Sequence, residues 1–213
     1  MLFWDQSIEI LRESILAYAQ LCNGSLGCGI LLITFLARLA LLPLGMRLAR
    51  TAAVQQRAME RIRPELDALR IEHRSDPRSL AAATRRLMDR EGVSMIPAAG
   101  CLGGLAQLPV LIALYSAVRQ VASLGGRFLW IGDIAKPDFV LCAAATALTI
   151  AATAAGASLP ADNRKIVLAV SGMVTAVALS KMAAGIGLYW TLSSLFGVIQ
   201  GHVVRLRAER MPA

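Results

Sequence analysis

Apolar residues recur along this chain in long runs that are separated by polar or charged segments. A run of about 20 apolar residues is long enough to cross the hydrocarbon of a bilayer as an α-helix. Such runs predict an all-α integral membrane protein with five transmembrane helices, at residues 26–45, 96–122, 139–159, 166–181 and 184–204.

Residues 46–95 differ from these runs, because they are rich in arginine, alanine and glutamate and hold no spanning stretch. Short apolar stripes at helical spacing predict two helices folded back on each other as a hairpin. Asp76 and Pro77 suit the N-cap and the first position of the second helix. Pro64 is expected to kink or interrupt the first.

Residues 1–25 predict an amphipathic helix that lies at the membrane interface. Ile8, Leu11 and Ile15 recur at helical spacing among charged residues, which gives the segment one apolar face. The segment lacks the basic start and the uninterrupted apolar stretch of a signal peptide.

The net charge of +8 is informative mainly about topology. With five spans, sixteen of the 22 Lys and Arg residues lie on one side of the membrane and five on the other. Cytoplasmic segments carry the basic excess, so we expect the N-terminus outside and the C-terminus inside. The hairpin, a loop at 160–165 and a basic tail at 205–213 are then cytoplasmic, and a loop at 123–138 is extracytoplasmic. Contact of the hairpin or tail with ribosomal RNA is a second interpretation of this charge.

The cysteines and the known enzyme motifs limit the possible chemistry. Cys22, Cys28, Cys101 and Cys142 lack metal-ligand spacing, and three lie in apolar stretches, so we predict buried thiols and no disulfide framework. The chain has no phosphate-binding loop, HExxH or GxSxG motif. It is therefore predicted not to be an enzyme and to need no metal or cofactor.

Thr34 and Arg38 are the most informative polar residues in the predicted spans. They are four residues apart and share a helix face. An arginine at that depth costs about 2.5–3.5 kcal/mol on insertion scales, so it should face a wet cavity. Other polar residues of the spans either line the same cavity or form hydrogen bonds between helices: Gln107, Thr146, Thr149, Thr153, Ser193, Ser194 and Gln200.

Several short motifs of residues 26–204 resemble those of a known family in order and spacing. They are Thr34–Leu44, Arg63–Leu66, Gly100–Leu102, Gln107–Pro109, Ala113–Tyr115, Phe128–Ile131 with Asp133, and Gly187–Trp190 with Gln200. Together they resemble the YidC-type membrane protein insertases of the Oxa/Alb superfamily. Each motif alone is weak, but their common register makes the resemblance strong.

The resemblance implies five helices around a hydrophilic groove that is open to the cytoplasm and to lipid. It also implies the groove residues Thr34, Arg38, Gln107, Leu108, Leu111, Tyr189 and Trp190. An insertase of this type guides short-flanked transmembrane segments into the bilayer without ATP hydrolysis. The partners implied are nascent membrane proteins and the lipid bilayer, with the ribosome and the Sec translocon as further candidates. The implied location is the bacterial inner (plasma) membrane.

Two other interpretations stay open at this point. A small transporter or channel could use Arg38 as an anion site, although the internal repeat that is common in transporters is not evident. A non-inserting assembly partner would bind other membrane proteins stably. The glycines at 103 and 104, and a fourth span that lacks the family's usual motif, are compatible with that interpretation.

Overall fold

The structure, a computed structural model, describes residues 2–74, 76–92, 98–156 and 164–209. Of these, the side chains of residues 2–3, 98–108 and 207–209 are not described. Residues 160–163 of the predicted loop and residues 210–213 of the predicted tail lie outside this range. The described residues form seven helices: α1 (Leu2–Leu21), α2 (Leu26–Glu72), α3 (Pro77–Arg90), α4 (Ala98–Ala122), α5 (Phe139–Ala155), α6 (Arg164–Leu179) and α7 (Ala184–Glu209). The all-α fold class is therefore confirmed.

Helix α2 continues where the sequence predicted two separate elements. It runs without a break from the first predicted span into the first arm of the predicted hairpin, through Pro43 and Pro64. Each proline removes one backbone hydrogen bond, which costs about 3 kcal/mol or more in a helix interior. The residues around Pro64 are mostly strong helix formers, and these favour continuation of the helix on both sides. Of the predicted kink or interruption at Pro64, the interruption was therefore wrong.

By length and composition alone, one helix in the described part of the chain is long and apolar enough to cross a membrane, and this helix is α2. Two shorter apolar stretches accompany it, Pro109–Ala122 and Phe139–Ala155. The predicted second span begins at residue 96 and the third ends at residue 159, and both positions lie outside the described residues. The number of spans therefore stays a prediction.

Three helices of the bundle run side by side in the same direction. Close contacts between α2 and α7 join Ile30 to Gly185, Arg38 to Ser193 and Gly45 to Gln200. Those between α5 and α7 join Leu141 to Gly187, Thr149 to Ser194 and Ala155 to Gly201. We call the end where these helices begin the loop end, and the end toward α3 the hairpin end.

The buried core lies at the loop end. Its largest fully buried side chains include Ile30 of α2, Leu114 and Val118 of α4, and Ile134 of the α4–α5 loop. The same cluster takes in the first turns of α7, from Ala184 to Tyr189. Apolar packing therefore closes the bundle at this end.

Helix α1 packs on α2 and α4 through Ile15 and Ala19, which are both buried. This buried face includes one of the apolar positions that predicted an amphipathic helix.

The turn after α1 uses positive φ at Asn23 and Gly24, and a disulfide between Cys22 and Cys28 spans it. The prediction of buried thiols was wrong for this pair, because the turn brings their Cα atoms to 6.3 Å from each other. Cys142 is a free thiol, as predicted, and the side chain of Cys101 is not described.

Helix α3 packs against the second half of α2 through a small apolar cluster. Ile62 and Met88 are buried there, and Met59 and Leu66 pack against them. Arg90 forms ion pairs with Glu91 and Glu65, and these two carboxylates raise the pKa of the guanidinium. Asp76 caps α3 as predicted, accepting hydrogen bonds from the backbone N–H groups of Arg78 and Ser79. Few apolar residues therefore hold α3 in place.

We expect the amide hydrogens of α3 to exchange at least about tenfold faster than those of the first turns of α7, because α3 lacks a comparable buried contact. Hydrogen exchange with mass spectrometry, on the protein in lipid nanodiscs, measures both segments at once. Equal protection of the two helices would contradict this account of their packing.

Gly29 allows the backbones of α1 and α2 to touch. A Cβ added at Gly29 would collide with the backbone oxygen of Ile15, which cannot rotate away. Gly29→Ala should therefore lower the free energy of unfolding by about 1–3 kcal/mol, the usual cost of overpacking. Gly132→Ala is the matched control, since a Cβ at Gly132 meets no atom within 4 Å. Thermal unfolding in detergent measures the difference, and two equally stable variants would be the contrary result.

Candidate functional site

Arg38 lies between α2 and α7 at the edge of the closed core. Its Nε donates a hydrogen bond to Ser193 Oγ at 3.1 Å, and the side chain is partly buried. No Asp or Glu occurs between Glu13 and Glu60, or in the sequences of α4, α5 and α6. No ion pair to Arg38 is formed among the described residues. The guanidinium therefore brings an uncompensated positive charge into an apolar bundle.

A second polar group lies between α5 and α7, around Thr149. Trp190 Nε1 donates to Thr149 Oγ1 at 3.1 Å, and Ser194 Oγ lies at the same distance from that oxygen. Thr149 Oγ1 also lies 2.8 Å from the backbone oxygen of Ala145, to which it donates. Since a hydroxyl has one proton, Ser194 must be the donor to Thr149 when Ala145 is the acceptor. Thr149 Oγ1 then accepts two hydrogen bonds and donates one.

The two polar groups are joined through α7. Ser193 and Ser194 follow Trp190 by three and four residues, so both occupy positions next to Trp190 on the helix surface. Ser193 contacts α2 and the other two contact α5. We call Arg38, Ser193, Thr149, Ser194 and Trp190 the polar cluster.

The other residues predicted for the site are placed differently. Thr34 is fully buried, and its hydroxyl donates to the backbone oxygen of Ile30 in its own helix at 2.6 Å, so it contributes no free polar group. Tyr189 is buried in the core at the loop end, and Leu111 of α4 is partly buried. Gln107 and Leu108 lie in α4, but their side chains are outside the described part of the structure.

The threonines and serines of the spans differ in their hydrogen bonds, and some form neither of the two contacts that the sequence left open. Thr149 and Ser194 form a hydrogen bond between helices, whereas Thr146 and Thr153 donate to the backbone of their own helix. Thr149, Ser193 and Ser194 were not among the predicted groove residues, although the sequence indicated them as polar residues of the cavity or of contacts between helices. The spacing of Trp190, Ser193 and Ser194 on one side of α7 is the sequence signal that could have identified part of the cluster.

The chemistry available to this cluster is binding and orientation. Its members offer N–H and O–H donors and one fixed positive charge, and they include no acid, base or thiol. Among the described residues, no three His, Cys, Asp or Glu side chains are placed to hold a metal ion. A partly buried arginine that bonds to a serine hydroxyl suits a polar or anionic chain passing beside it.

Comparison with known proteins identifies the class. The sequence profile of the family described as 60Kd inner membrane protein matches residues 17–210. A "Membrane protein insertase YidC" of Alkalihalophilus pseudofirmus is 30% identical over 207 residues, which cover 92% of this chain and 79% of that protein. "Membrane protein insertase YidC 1" of Streptococcus pyogenes serotype M1 is 32% identical, over 92% of this chain and 72% of the relative. "Membrane protein insertase MisCA" of Bacillus subtilis is 27% identical, over 95% and 79%.

The chain belongs to the 60Kd inner membrane protein family, whose profile covers nearly its whole length. This membership confirms the resemblance to YidC-type insertases that the motifs indicated. It also assigns the protein to the bacterial inner membrane.

Thr149→Val tests whether Thr149 holds the polar cluster together. Valine keeps the side-chain shape but leaves the Trp190 N–H and the Ser194 hydroxyl without this acceptor. We expect the free energy of unfolding to fall by about 1–2 kcal/mol, the scale of hydrogen bonds between membrane helices. Thr149→Ser keeps the hydroxyl, so this variant should retain most of the original free energy of unfolding.

The matched control is Thr153→Val, because the Thr153 hydroxyl bonds to the backbone of its own helix. Thermal unfolding in detergent, followed by circular dichroism, compares the three variants. Equal losses of stability at positions 149 and 153 would show that the hydrogen bonds between helices stabilise the protein no more than a bond within one helix.

Proposed function

We propose that this protein is a membrane protein insertase, which guides short-flanked transmembrane segments from the cytoplasm into the bilayer. The proposal is supported by family membership and by the names of the relatives. The single structural observation that favours it most is the charge of Arg38, which bonds to the Ser193 hydroxyl of α7 and forms no ion pair among the described residues. In the insertase mechanism that we propose, this cluster lies in a hydrophilic groove.

The proposed groove reaches only partway through the membrane. Apolar side chains fill the loop end of the bundle, so a path that ends there gives no route for solutes across the bilayer. This arrangement favours insertion over transport. Toward the hairpin end, Gly45 lies beside Gln200. A glycine, which has no side chain, next to a polar amide suits a hydrated opening of the groove.

The proposed topology has five spans, with the N-terminus outside and the C-terminus in the cytoplasm. It follows from the excess of Lys and Arg residues on the side of the α2–α3 hairpin. The groove then opens to the cytoplasm, and the closed loop end faces outward. The basic hairpin is well placed to meet an incoming chain or its carrier, and the ribosome and the Sec translocon are candidate carriers.

The energetics of insertion explain why such a groove suffices without ATP. Burial of an apolar segment in lipid gains about 25 cal/mol per Å². The obstacle is the hydrophilic flank, because each unsatisfied polar group in hydrocarbon costs several kcal/mol. Water and the polar cluster satisfy these groups for part of the distance. The membrane potential adds about 2.3 kcal/mol per charge per 100 mV.

The roles proposed for individual residues follow from the different needs of the hydrophilic flank and the apolar segment. Arg38 attracts acidic groups of the flank, and Gln107 adds a polar group to the lining of the groove. Leu108, Leu111 and Trp190 hold the apolar segment until it moves into lipid. Tyr189 and Thr34 are buried at or near the core, so we propose that they support the closed end of the groove instead of contacting substrate.

Reconstitution tests the function. Purified protein is placed in sealed liposomes, a small single-span substrate is synthesised outside, and protease protection of the translocated flank is scored. We expect protection well above that of empty liposomes. Absence of protection, where a known insertase works, would overturn the proposal and favour a non-inserting assembly partner.

Arg38→Ala should reduce protection of a substrate with an acidic flank by at least about fivefold, since about 1 kcal/mol of attraction is lost. A neutral flank should be affected much less. Arg38→Lys keeps the charge and should retain most activity, and Arg119→Ala, an exposed arginine near the loop end, is the matched control. Equal losses for acidic and neutral flanks would contradict charge attraction at Arg38.

A further inference from the structure

A tight turn projects two large apolar side chains from the α4–α5 loop. Phe128 and Ile131 exchange both backbone hydrogen bonds, at 3.0 and 2.8 Å, so Leu129 and Trp130 form the tip of a two-residue turn. Leu129 has φ +51°, a conformation that is uncommon for a branched apolar residue and normally favours glycine or asparagine. The chain therefore presents a leucine where a polar turn residue would fit the backbone better.

The base of this turn is firmly packed and its tip is not. Ile131 and Ile134 are buried in the core, and the ring of Phe128 lies against Gly27 of α2. Leu129 is 72% exposed and Trp130 is 58% exposed. A rigid base that holds exposed apolar side chains outward is typical of a contact surface.

The position of the tip relative to α5 indicates what it contacts. Trp130 Nε1 donates to Asp138 Oδ1 at 3.4 Å, and the same carboxylate oxygen caps α5 by accepting from the N–H of Leu141 at 2.7 Å. Trp130 therefore lies beside the first turn of α5. That turn begins with Phe139, which is 77% exposed, and α5 has no charged residue. The tip thus lies where the apolar surface of a helix gives way to a polar loop.

The charges around the tip suit phosphate groups. Arg127, Lys136 and Lys181 are exposed at the loop end. Asp133 accepts a backbone hydrogen bond within the loop and Asp138 accepts one from α5, and Asp133 lies 3.8 Å from Lys136. Apolar side chains next to exposed cations match the boundary between acyl chains and phosphate headgroups.

We propose that Leu129, Trp130 and Phe139 form an interfacial anchor, which inserts into the headgroup–acyl boundary of the leaflet at the loop end. The anchor fixes the depth of the loop end in the bilayer, and thereby the depth of the polar cluster. A protein partner is a different occupant, but the continuity of the tip with the exposed apolar side of α5 favours lipid. The proposal requires only that the chain spans the membrane, and it does not depend on insertase activity.

Fluorescence of Trp130 tests the anchor. A variant with Trp4→Phe and Trp190→Phe leaves Trp130 as the only tryptophan, since the chain has three. It is reconstituted in vesicles of phosphatidylcholine and phosphatidylglycerol, with or without bromine on the acyl chains. We expect bromolipid to remove more than half of the emission, while iodide present on both sides of the membrane has little effect.

Leu129→Asn in the same background should reduce bromolipid quenching at least twofold and increase iodide quenching, because asparagine tolerates the positive φ but does not enter the acyl region. Ile71→Asn alters a similarly exposed residue of α2 near α3 and should change neither value. Strong quenching of Trp130 by iodide without quenching by bromolipid would place the tip in water. Protection from both quenchers would indicate a covering protein surface. Either result would overturn the anchor, and neither would bear on substrate insertion.

Discussion

The structure depends on a charge that no carboxylate among the described residues neutralises. Arg38 lies in an apolar helix, and the sequence offers no carboxylate in the neighbouring spans. A single hydroxyl, that of Ser193, meets its Nε. A guanidinium in such surroundings is stable only if water or another polar group reaches it. The arrangement of the helices at this level therefore has to leave a space, and the proposed function makes use of that space.

Apolar packing closes the loop-end side of Arg38, so the proposed function places this space on the side of the hairpin end. Small residues let the backbones of α5 and α7 approach closely. A Cβ added at Gly201 would lie 2.8 Å from the backbone oxygen of Ala155. Large apolar side chains fill the loop end, and the polar cluster begins where this filling stops. The bundle thus combines a closed, rigid end with a polar region, and both are needed for a path that stops partway. The disulfide between Cys22 and Cys28 and the α4–α5 loop add further order to the closed end.

The sequence predicted the features that depend on local pattern. The helical class, the capping of α3 by Asp76 and the shared helix of Thr34 and Arg38 all follow from spacing within one segment. The family followed from motifs in register and was confirmed by comparison. The continuation of α2 through Pro64 was not predicted, because helix formers on both sides outweigh the local cost of a proline.

Features that depend on contact between distant segments could not be predicted. The pairing of Cys22 with Cys28 depends on the turn that α1 makes as it packs on α2. The hydrogen bonds of Thr149 depend on the register between α5 and α7, and nothing in either sequence segment specifies that register alone. Thr34 shows the converse, since its spacing indicated a groove residue but its hydroxyl is satisfied within its own helix.

The most direct test is whether water reaches the polar cluster from one side. Ser193→Cys is made in a variant whose Cys101 and Cys142 are alanine, and a membrane-impermeant thiol reagent is applied to oriented vesicles from either face. We expect the cysteine at position 193 to be labelled from the face of the hairpin and not from the face of the loop end. Labelling from the loop face, or from neither face, would contradict a hydrated groove that ends at Arg38.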